Sequence, residues 1–260
     1  MRIDVWSDIV CPYCHLGRRH LDLALEQFEH AEDVDVYWHS YELDRGAPAV
    51  GTASNIDRIA AKYGLPRAEV VAQHEDMAQA AAAVGLDFRW DTVVPSNSYA
   101  AHRLLHYARS VGRQREVTDR VMTAWYTEGA AIGDHQVLLR LASDAGLDAD
   151  ATTAILDSDE FGMQVRTDEA LAKELGINAV PTFVLDQKYA VQGAHPVETF
   201  VQALRQVWDD RSTAPTPREA SGCRGDGACG CGRSADGTCD GSHEHADDGS
   251  SCSAEVCAAP

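Results

Sequence analysis

Basic residues are scarce in this 260-residue chain: 22 Lys and Arg stand against 41 Asp and Glu, which gives a formal net charge of -19. The sequence offers no basic stripe to contact phosphates, and this argues against nucleic-acid binding. No apolar run approaches the length of a membrane-spanning helix, and the first residues lack the charged and apolar regions of a secretion signal. These absences predict a cytoplasmic protein without membrane or nucleic-acid partners.

Cysteine is absent from residues 15–222, so the eight cysteines form two groups. Cys11 and Cys14 stand alone near the N-terminus, and the other six follow residue 222. A structural zinc site needs four ligands, and the folded part of the chain has no second cysteine pair to complete one. Because disulfides rarely persist in the cytoplasm, we expect the lone CxxC pair to be catalytic rather than structural.

The CPYC motif of residues 11–14 lies between a predicted strand at residues 2–7 and a predicted helix at residues 16–30. A CxxC pair between a strand and a helix is typical of thiol redox motifs. The N-terminus of a helix stabilises a thiolate through its unpaired N–H groups and its macrodipole. Cys11 is therefore predicted to attack, and Cys14 to resolve the mixed disulfide.

The remaining pattern predicts an α/β fold. A second strand at residues 33–38 follows the first helix, and a strand–helix–strand order is typical of a parallel pair. Residues 51–175 are mostly helical and predict an inserted subdomain. Strands at residues 182–185 and 189–191 and a closing helix at residues 197–208 then complete the fold.

Several polar side chains are candidates for a supporting role. His15 is expected either to stabilise the Cys11 thiolate when protonated or to be a solvated helix residue. Asp8 is expected at the edge of the substrate groove. The scattered histidines are predicted to be mostly surface or groove residues; they are His39, His102, His106, His135 and His195.

Two features together resemble the thioredoxin superfamily: CPYC at the first helix, and the sequence Val-Pro-Thr-Phe at residues 180–183 before a late strand. The helical insertion narrows the resemblance to the DsbA-like branch. The stretches DVWSDIVCPYCHLG and GINAVPTFVLDQKYAVQGAHP are similar to the FrnE-like group of cytoplasmic DsbA-family oxidoreductases. The resemblance covers residues 1–208 and implies a thioredoxin fold with a large inserted helical subdomain.

Domain boundaries follow from this resemblance. A split thioredoxin-like domain is expected at residues 1–50 and 176–208, with the helical subdomain at residues 51–175. Residues 209–260 are rich in Cys, Gly and Asp, and they are predicted to be a disordered tail unless a metal or disulfides order them.

The resemblance also implies dithiol–disulfide exchange with protein or peptide thiols, or with glutathione, and no required cofactor. Val180 and Pro181 are then expected to form a cis peptide beside the cysteines, where the Val180 backbone binds an extended substrate chain. Pro12 and Tyr13 are expected to border the same groove. The preferred direction, as oxidase, isomerase or reductase, depends on the redox potential of the pair.

The tail contains two further cysteine patterns. Cys252 and Cys257 form a C-x4-C pair similar to the accessory redox pair of FrnE-like proteins. The other pattern resembles the CDGSH iron–sulfur motif, but its spacing is one residue short and it lacks the usual proline. The candidate ligands for an iron–sulfur cluster or zinc are Cys229, Cys231, Cys239 and His243. A thiol-rich appendage without metal is the alternative.

Two other functions stay open. A glutathione-dependent isomerase or transferase of the kappa type shares the DsbA-like architecture, but such enzymes usually have serine at the position of Cys11. A metal-binding redox sensor would act through the tail, with the folded domain reporting thiol state. Metal analysis of the purified protein separates the sensor from the oxidoreductase.

Overall fold

The computed structural model describes residues 1–213. Its strands are β1 (Arg2–Ser7), β2 (Asp35–Ser40), β3 (Thr182–Leu185) and β4 (Tyr189–Gln192). Its α-helices are α1 (Pro12–Glu26), α2 (Asn55–Tyr63), α3 (Arg67–Ala83), α4 (Tyr99–Ser110), α5 (Gln114–Tyr126), α6 (His135–Asp144), α7 (Ala149–Asp157), α8 (Gly162–Glu174) and α9 (Val197–Thr213). A 3-10 helix, Ala31–Asp33, occupies the start of the predicted second strand, so β2 begins at Asp35. No helix in this part of the chain is long and apolar enough to cross a membrane.

The four strands form one mixed sheet in the order β2-β1-β3-β4. β1 and β2 are parallel, with Val5 opposite Trp38, and α1 lies between them in the chain. β3 runs antiparallel to both of its neighbours, β1 and β4. The predicted strand–helix–strand unit with a parallel pair is therefore confirmed, and the whole is the thioredoxin-like α/β architecture that the resemblance implies.

β1 is the centre of the fold because it is buried on both faces. On one face, Ile3 and Val5 pack in a core with Phe183 of β3. Leu21 of α1 and Leu204 of α9 close this core from the helical side. Each fully buried side chain of this size stabilises the fold by about 1.5–3 kcal/mol.

The other face of β1 is covered by the helices that lie between β2 and β3 in the chain. Trp6 Nε1 donates a hydrogen bond to the Asp168 carbonyl oxygen of α8 at 3.0 Å. A second apolar core includes Cys14, Ile9 and Trp125 of α5. The cysteine pair therefore lies where the sheet meets the helical insertion.

The first helix lies closer to the N-terminus than the predicted residues 16–30. It begins at Pro12, because Cys11 has an extended backbone, with φ -99° and ψ 115°, and precedes the helix as its N-cap. It ends at Glu26, and Phe28 is buried in the core beyond it. The CPYC motif is thus the first turn of the helix itself.

Candidate active site

The two cysteines differ in their access to solvent. Cys11 is 4% exposed at the N-cap of α1, whereas Cys14, in the first turn, is 0% exposed. The Cys14 N–H donates to the Cys11 carbonyl oxygen at 2.9 Å, and Pro12 occupies the first helical position. Both thiols are free. Cys11 lies closest to the positive end of the helix dipole, which suits the sulfur that must be a thiolate in order to attack.

The loop before β3 lies against Cys11. The Val180–Pro181 peptide bond is cis, and the Cys11 thiol donates to the Val180 carbonyl oxygen over an Sγ–O distance of 3.7 Å. Gly17 of α1 permits this close approach, since a Cβ atom there would lie 3.0 Å from Pro181 Cγ and 3.2 Å from Phe183 Cζ. The structure thus brings the CPYC helix and the Val180–Pro181 loop together, as a shared site requires.

Burial governs the chemistry of Cys14. Loss of water, reinforced by the adjoining Cys11 thiol, raises the pKa of the Cys14 thiol well above its ordinary value. The Ser7 hydroxyl and the Asp8 backbone lower this pKa, because they stabilise the thiolate. Ser7 Oγ is buried and forms no well-aligned hydrogen bond with the described residues in this state. Its hydroxyl can therefore turn fully to the sulfur when Cys14 ionises.

His15 does not support the Cys11 thiolate as a cation. It is 4% exposed, and its ring stacks on Tyr126 with the ring centroids 4.8 Å apart. Burial, together with the nearby charge of Arg18, lowers the pKa of His15 to about 3. The ring is therefore neutral near pH 7. Both predicted roles, the protonated stabiliser and the solvated helix residue, are wrong because the ring belongs to the core.

Three of the histidines predicted at the surface or groove are buried instead. His39, His102 and His106 belong to the interior, whereas His135 and His195 are exposed as predicted. Each of the three buried rings lies within hydrogen-bond distance of a buried carboxylate. Pairing of this kind offsets the free energy lost when a polar ring leaves water.

His39 lies between two carboxylates. Its Nδ1 is 2.6 Å from Asp168 Oδ1, and its Nε2 is 2.7 Å from Asp4 Oδ1. The ring also stacks on Trp6 with a centroid distance of 4.3 Å. Burial alone would raise the pKa of Asp168, but hydrogen bonds from His106 and His39 lower it to about 2. This network joins β1, β2, α4 and α8 beneath the site.

Asp8 is fully buried and does not lie at the groove edge. Its Oδ2 accepts a hydrogen bond from the Leu43 N–H at 2.7 Å, and its Oδ1 lies 3.3 Å from His102 Nε2. Its carbonyl oxygen accepts from the Cys11 N–H at 3.2 Å. Asp8 therefore holds the turn that presents the first cysteine.

A cavity of about 520 Å³ opens beside Cys11. Cys11, Pro12 and Tyr13 form one side. Residues of α2, α3 and α5, among them Met77 and Trp125, and of the loops beside these helices form the rest. The sequence predicts Pro12 and Tyr13 at a substrate groove but does not reveal the helices opposite them. No local signal marks that wall, because it is assembled from segments far apart in the chain.

The sequence predicts metal ligands only in the tail. Within residues 1–213, no group of three or more His, Cys, Asp and Glu side chains is arranged to hold a metal ion. The predicted accessory and metal-binding residues lie outside the described residues; they are Cys252, Cys257, Cys229, Cys231, Cys239 and His243. Their roles stay predictions.

Comparison with known proteins agrees with this geometry. The family described as the DSBA-like thioredoxin domain matches residues 2–205. The probable DsbA oxidoreductase SCO1869 from Streptomyces coelicolor is 36% identical, with a TM-score of 0.80 over 89% of this chain and 100% of that chain. The uncharacterized protein YwbO of Bacillus subtilis is 28% identical over 207 residues, which is 78% of this chain and 96% of that protein. The cytosolic disulfide reductase DsbM from Pseudomonas aeruginosa, solved with GSH, shares the fold at 21% identity, with a TM-score of 0.51 over 82% of this chain and 99% of that chain. The chain belongs to the DsbA-like thioredoxin-domain family of thiol–disulfide oxidoreductases.

Proposed function

We propose that the chain catalyses thiol–disulfide exchange through Cys11 and Cys14, with protein or peptide thiols as substrates. The observation that carries this proposal is the asymmetry of the pair. Cys11 borders an open cavity, whereas Cys14 is fully buried one turn further along the helix. A thiol at the rim can meet a substrate, while the sheltered thiol reacts only with the mixed disulfide.

In the reducing direction, the Cys11 thiolate attacks one sulfur of a substrate disulfide. A mixed disulfide forms, and one substrate thiolate leaves. Cys14 then loses its proton and attacks the Cys11 sulfur, which expels the second substrate thiolate. The substrate gains two electrons, and the enzyme ends as the Cys11–Cys14 disulfide. In the oxidising direction, a substrate thiolate attacks Cys11 and the same steps run in reverse.

Four residues around the pair are proposed to hold the substrate chain. The Val180 carbonyl oxygen lies 3.7 Å from Cys11 Sγ, so a chain extended along this loop would bring its own cysteine over Cys11. Pro181 fixes the loop against α1, and Pro12 and Tyr13 border the cavity. Tyr13 is 52% exposed and offers its ring to a partner.

The direction of exchange follows the redox potential of the pair relative to its surroundings. We propose glutathione as the redox partner of a cytoplasmic enzyme, and the structure of DsbM with GSH offers a precedent on the same fold. Exchange between the main pair and Cys252–Cys257 belongs to the same proposal. A disulfide between Cys11 and Cys252 or Cys257, found by peptide mapping of the oxidised Cys14→Ser chain with its tail cysteines intact, would support it, and the absence of that disulfide would contradict it.

Trapping of the mixed disulfide tests the assignment of the two cysteines. The starting protein is the tail-serine chain, a full-length protein whose six cysteines after residue 222 are replaced by serine. The trapping chain adds Cys14→Ser, and its control adds Cys11→Ser instead. Each is reduced and incubated with a peptide disulfide, and its intact mass is measured.

The trapping chain is expected to gain the mass of one peptide on Cys11, because the residue that would resolve the mixed disulfide is missing. The control is expected to gain none, because Cys14 is buried. Adducts that form only on Cys14, or on neither cysteine, would overturn the proposed function.

A further inference from the structure

The cavity beside Cys11 has an apolar floor. The floor is formed by Met77 of α3, Trp125 of α5 and Phe88 of the loop that follows α3, and each of these side chains is at most 8% exposed. Its volume of about 520 Å³ lies within the range of roughly 300–1,000 Å³ that is usual for ligand pockets. An apolar side chain of a substrate could therefore be buried here while the substrate sulfur reacts at Cys11.

Two exposed aromatic residues also line the cavity. Tyr13 lies between the two cysteines, and Tyr63 ends α2; they are 52% and 59% exposed. Tyrosine is enriched at binding interfaces because it offers apolar area with a polar tip. With the apolar floor beneath them, the two rings suit an aromatic side chain of the substrate.

Lys62 gives the cavity an unbalanced positive charge. Its Nζ donates to the Leu43 carbonyl oxygen at 3.1 Å, and no carboxylate of residues 1–211 pairs with it. The other charged side chains that line the cavity neutralise each other, since Arg58 Nη1 lies 3.0 Å from Asp44 Oδ2. In a chain of net charge -19, this local cation favours an acidic group on the substrate.

His74 adds a hydrogen-bond acceptor to the lining. The ring is 8% exposed, and its Nδ1 lies 2.8 Å from the Val70 carbonyl oxygen, so Nδ1 carries the proton. A singly protonated ring leaves Nε2 as an acceptor, and this atom has no hydrogen-bond partner within the described part of the chain. A donor on the substrate ring, such as an indole N–H or a phenol O–H, would satisfy it.

We propose that this cavity selects peptide substrates in which a tryptophan or tyrosine adjoins the reactive cysteine and an acidic residue follows that aromatic residue. The aromatic ring enters the apolar floor and donates to His74, while the carboxylate pairs with Lys62. The proposal rests on the proposed function and names the substrate class of that same site. It makes Lys62 and the walls of α2 and α3 the determinants of specificity.

Competition between peptides in the trapping chain tests the proposal. The probes are symmetric peptide disulfides of the sequence Asp-Trp-Cys-Trp-Asp and three variants of it. The variants replace both Asp by Asn, both Trp by Ala, or both Trp by Phe. A symmetric sequence fits whichever direction the peptide runs across Cys11. Equal amounts of the four disulfides are mixed with limiting reduced trapping chain. Early adducts are separated from free peptide, and the peptides that reduction releases from them are counted by mass.

The parent peptide is expected to be trapped about tenfold more often than the alanine variant, because burial of an aromatic side chain is favourable. It is expected to exceed the asparagine variant about fivefold, as for a favourable ion pair at a partly exposed site. The phenylalanine variant should fall between the parent and the alanine variant, because it lacks the donor for His74. Lys62→Met should abolish the preference for Asp over Asn, and Lys188→Met, on the turn between β3 and β4, is the matched control that should keep it.

A second variant tests the cavity itself. Ile59 lines it from α2, so Ile59→Trp should fill the space and remove the preference for tryptophan over alanine. Equal trapping of all peptides by the unaltered trapping chain would overturn this inference and leave the proposed function standing. An acid preference that survives Lys62→Met would equally overturn it. Trapping of no peptide at all would overturn both.

Discussion

Replacing Ser7 by alanine removes the hydroxyl that faces Cys14 and leaves the surroundings of Cys11 in place. Cys14 must ionise before it can attack, and its burial opposes this; Ser7 is the side chain that lowers its pKa. A hydrogen bond to a charged group contributes about 1.5–3 kcal/mol. The lower figure corresponds to a rate change of about tenfold. We therefore expect Ser7→Ala to raise the Cys14 pKa further and to slow its attack at neutral pH about tenfold.

Stopped-flow absorbance separates the two chemical steps. The reduced tail-serine chain is mixed with an excess of a chromogenic aromatic disulfide, which releases one coloured thiolate per step. The first release reports attack by Cys11 and depends on the disulfide concentration. The second reports attack by Cys14 and is unimolecular. Ser7→Ala should leave the first rate unchanged, slow the second, and move the pH midpoint of the second upward.

Ser7→Thr keeps the hydroxyl and is the matched control, which should retain the second rate. Loss of a buried hydroxyl with no well-formed hydrogen bond should not destabilise the fold, and urea unfolding of the alanine variant checks this. Equal slowing of both steps, or no change in the second, would refute the assignment of Ser7 to Cys14.

The remaining predictions concern the interior that supports the site. Asp168→Asn should remove about 2 kcal/mol of unfolding free energy at neutral pH, because the folded carboxylate has a pKa of about 2 against its ordinary 3.8. This contribution is complete above the ordinary pKa and is lost as pH falls from about 5 toward 2. The urea unfolding curves of the variant and the parent should therefore converge in acid. A difference in unfolding free energy that stays the same at every pH would contradict the lowered pKa of Asp168. His15→Phe should leave the pH profile of Cys11 alkylation unchanged between about pH 5 and 8, because the histidine is already neutral there, and a displaced midpoint would show that it carries charge. Gly17→Ala should lower the unfolding free energy by about 1–3 kcal/mol and slow trapping at Cys11, because the added methyl group would press on Pro181. An unchanged unfolding free energy and an unchanged trapping rate would show that α1 and Pro181 are not closely packed.

Local sequence signals were sufficient for the order of the elements. The sequence predicts the first strand at residues 2–7, which is Arg2–Ser7 in the structure, and β3 likewise occupies the predicted residues 182–185. Both strands are marked by runs of apolar and β-branched residues bounded by polar or proline positions. The apolar pattern alone starts the first helix only at residue 16, because the first turn carries the CPYC motif instead of that pattern. The preference of proline for the first helical turn points to the true start at Pro12.

The polar interior could not be predicted in the same way. His39 pairs with an aspartate 129 positions away, and His102 with one 94 positions away. A histidine on a strand or helix carries no local sign that a distant carboxylate will meet it, so the surface was the natural expectation. The cavity is hidden for the same reason, since only the packing of α2 brings Lys62 and Tyr63 into the lining of the cavity beside Cys11.

A redox titration decides whether Cys11 and Cys14 form one reversible pair. The tail-serine chain is equilibrated in glutathione buffers of graded potential, and its free thiols are counted by alkylation and intact mass. The proposed function predicts a single two-electron transition in which both thiols are lost together, and no such transition in the Cys11→Ser or Cys14→Ser chain. A midpoint above the potential of the cytosolic glutathione pool would make the enzyme an oxidase or isomerase, and one below it a reductase. Two cysteines that never convert to a disulfide at any potential would contradict the proposed function.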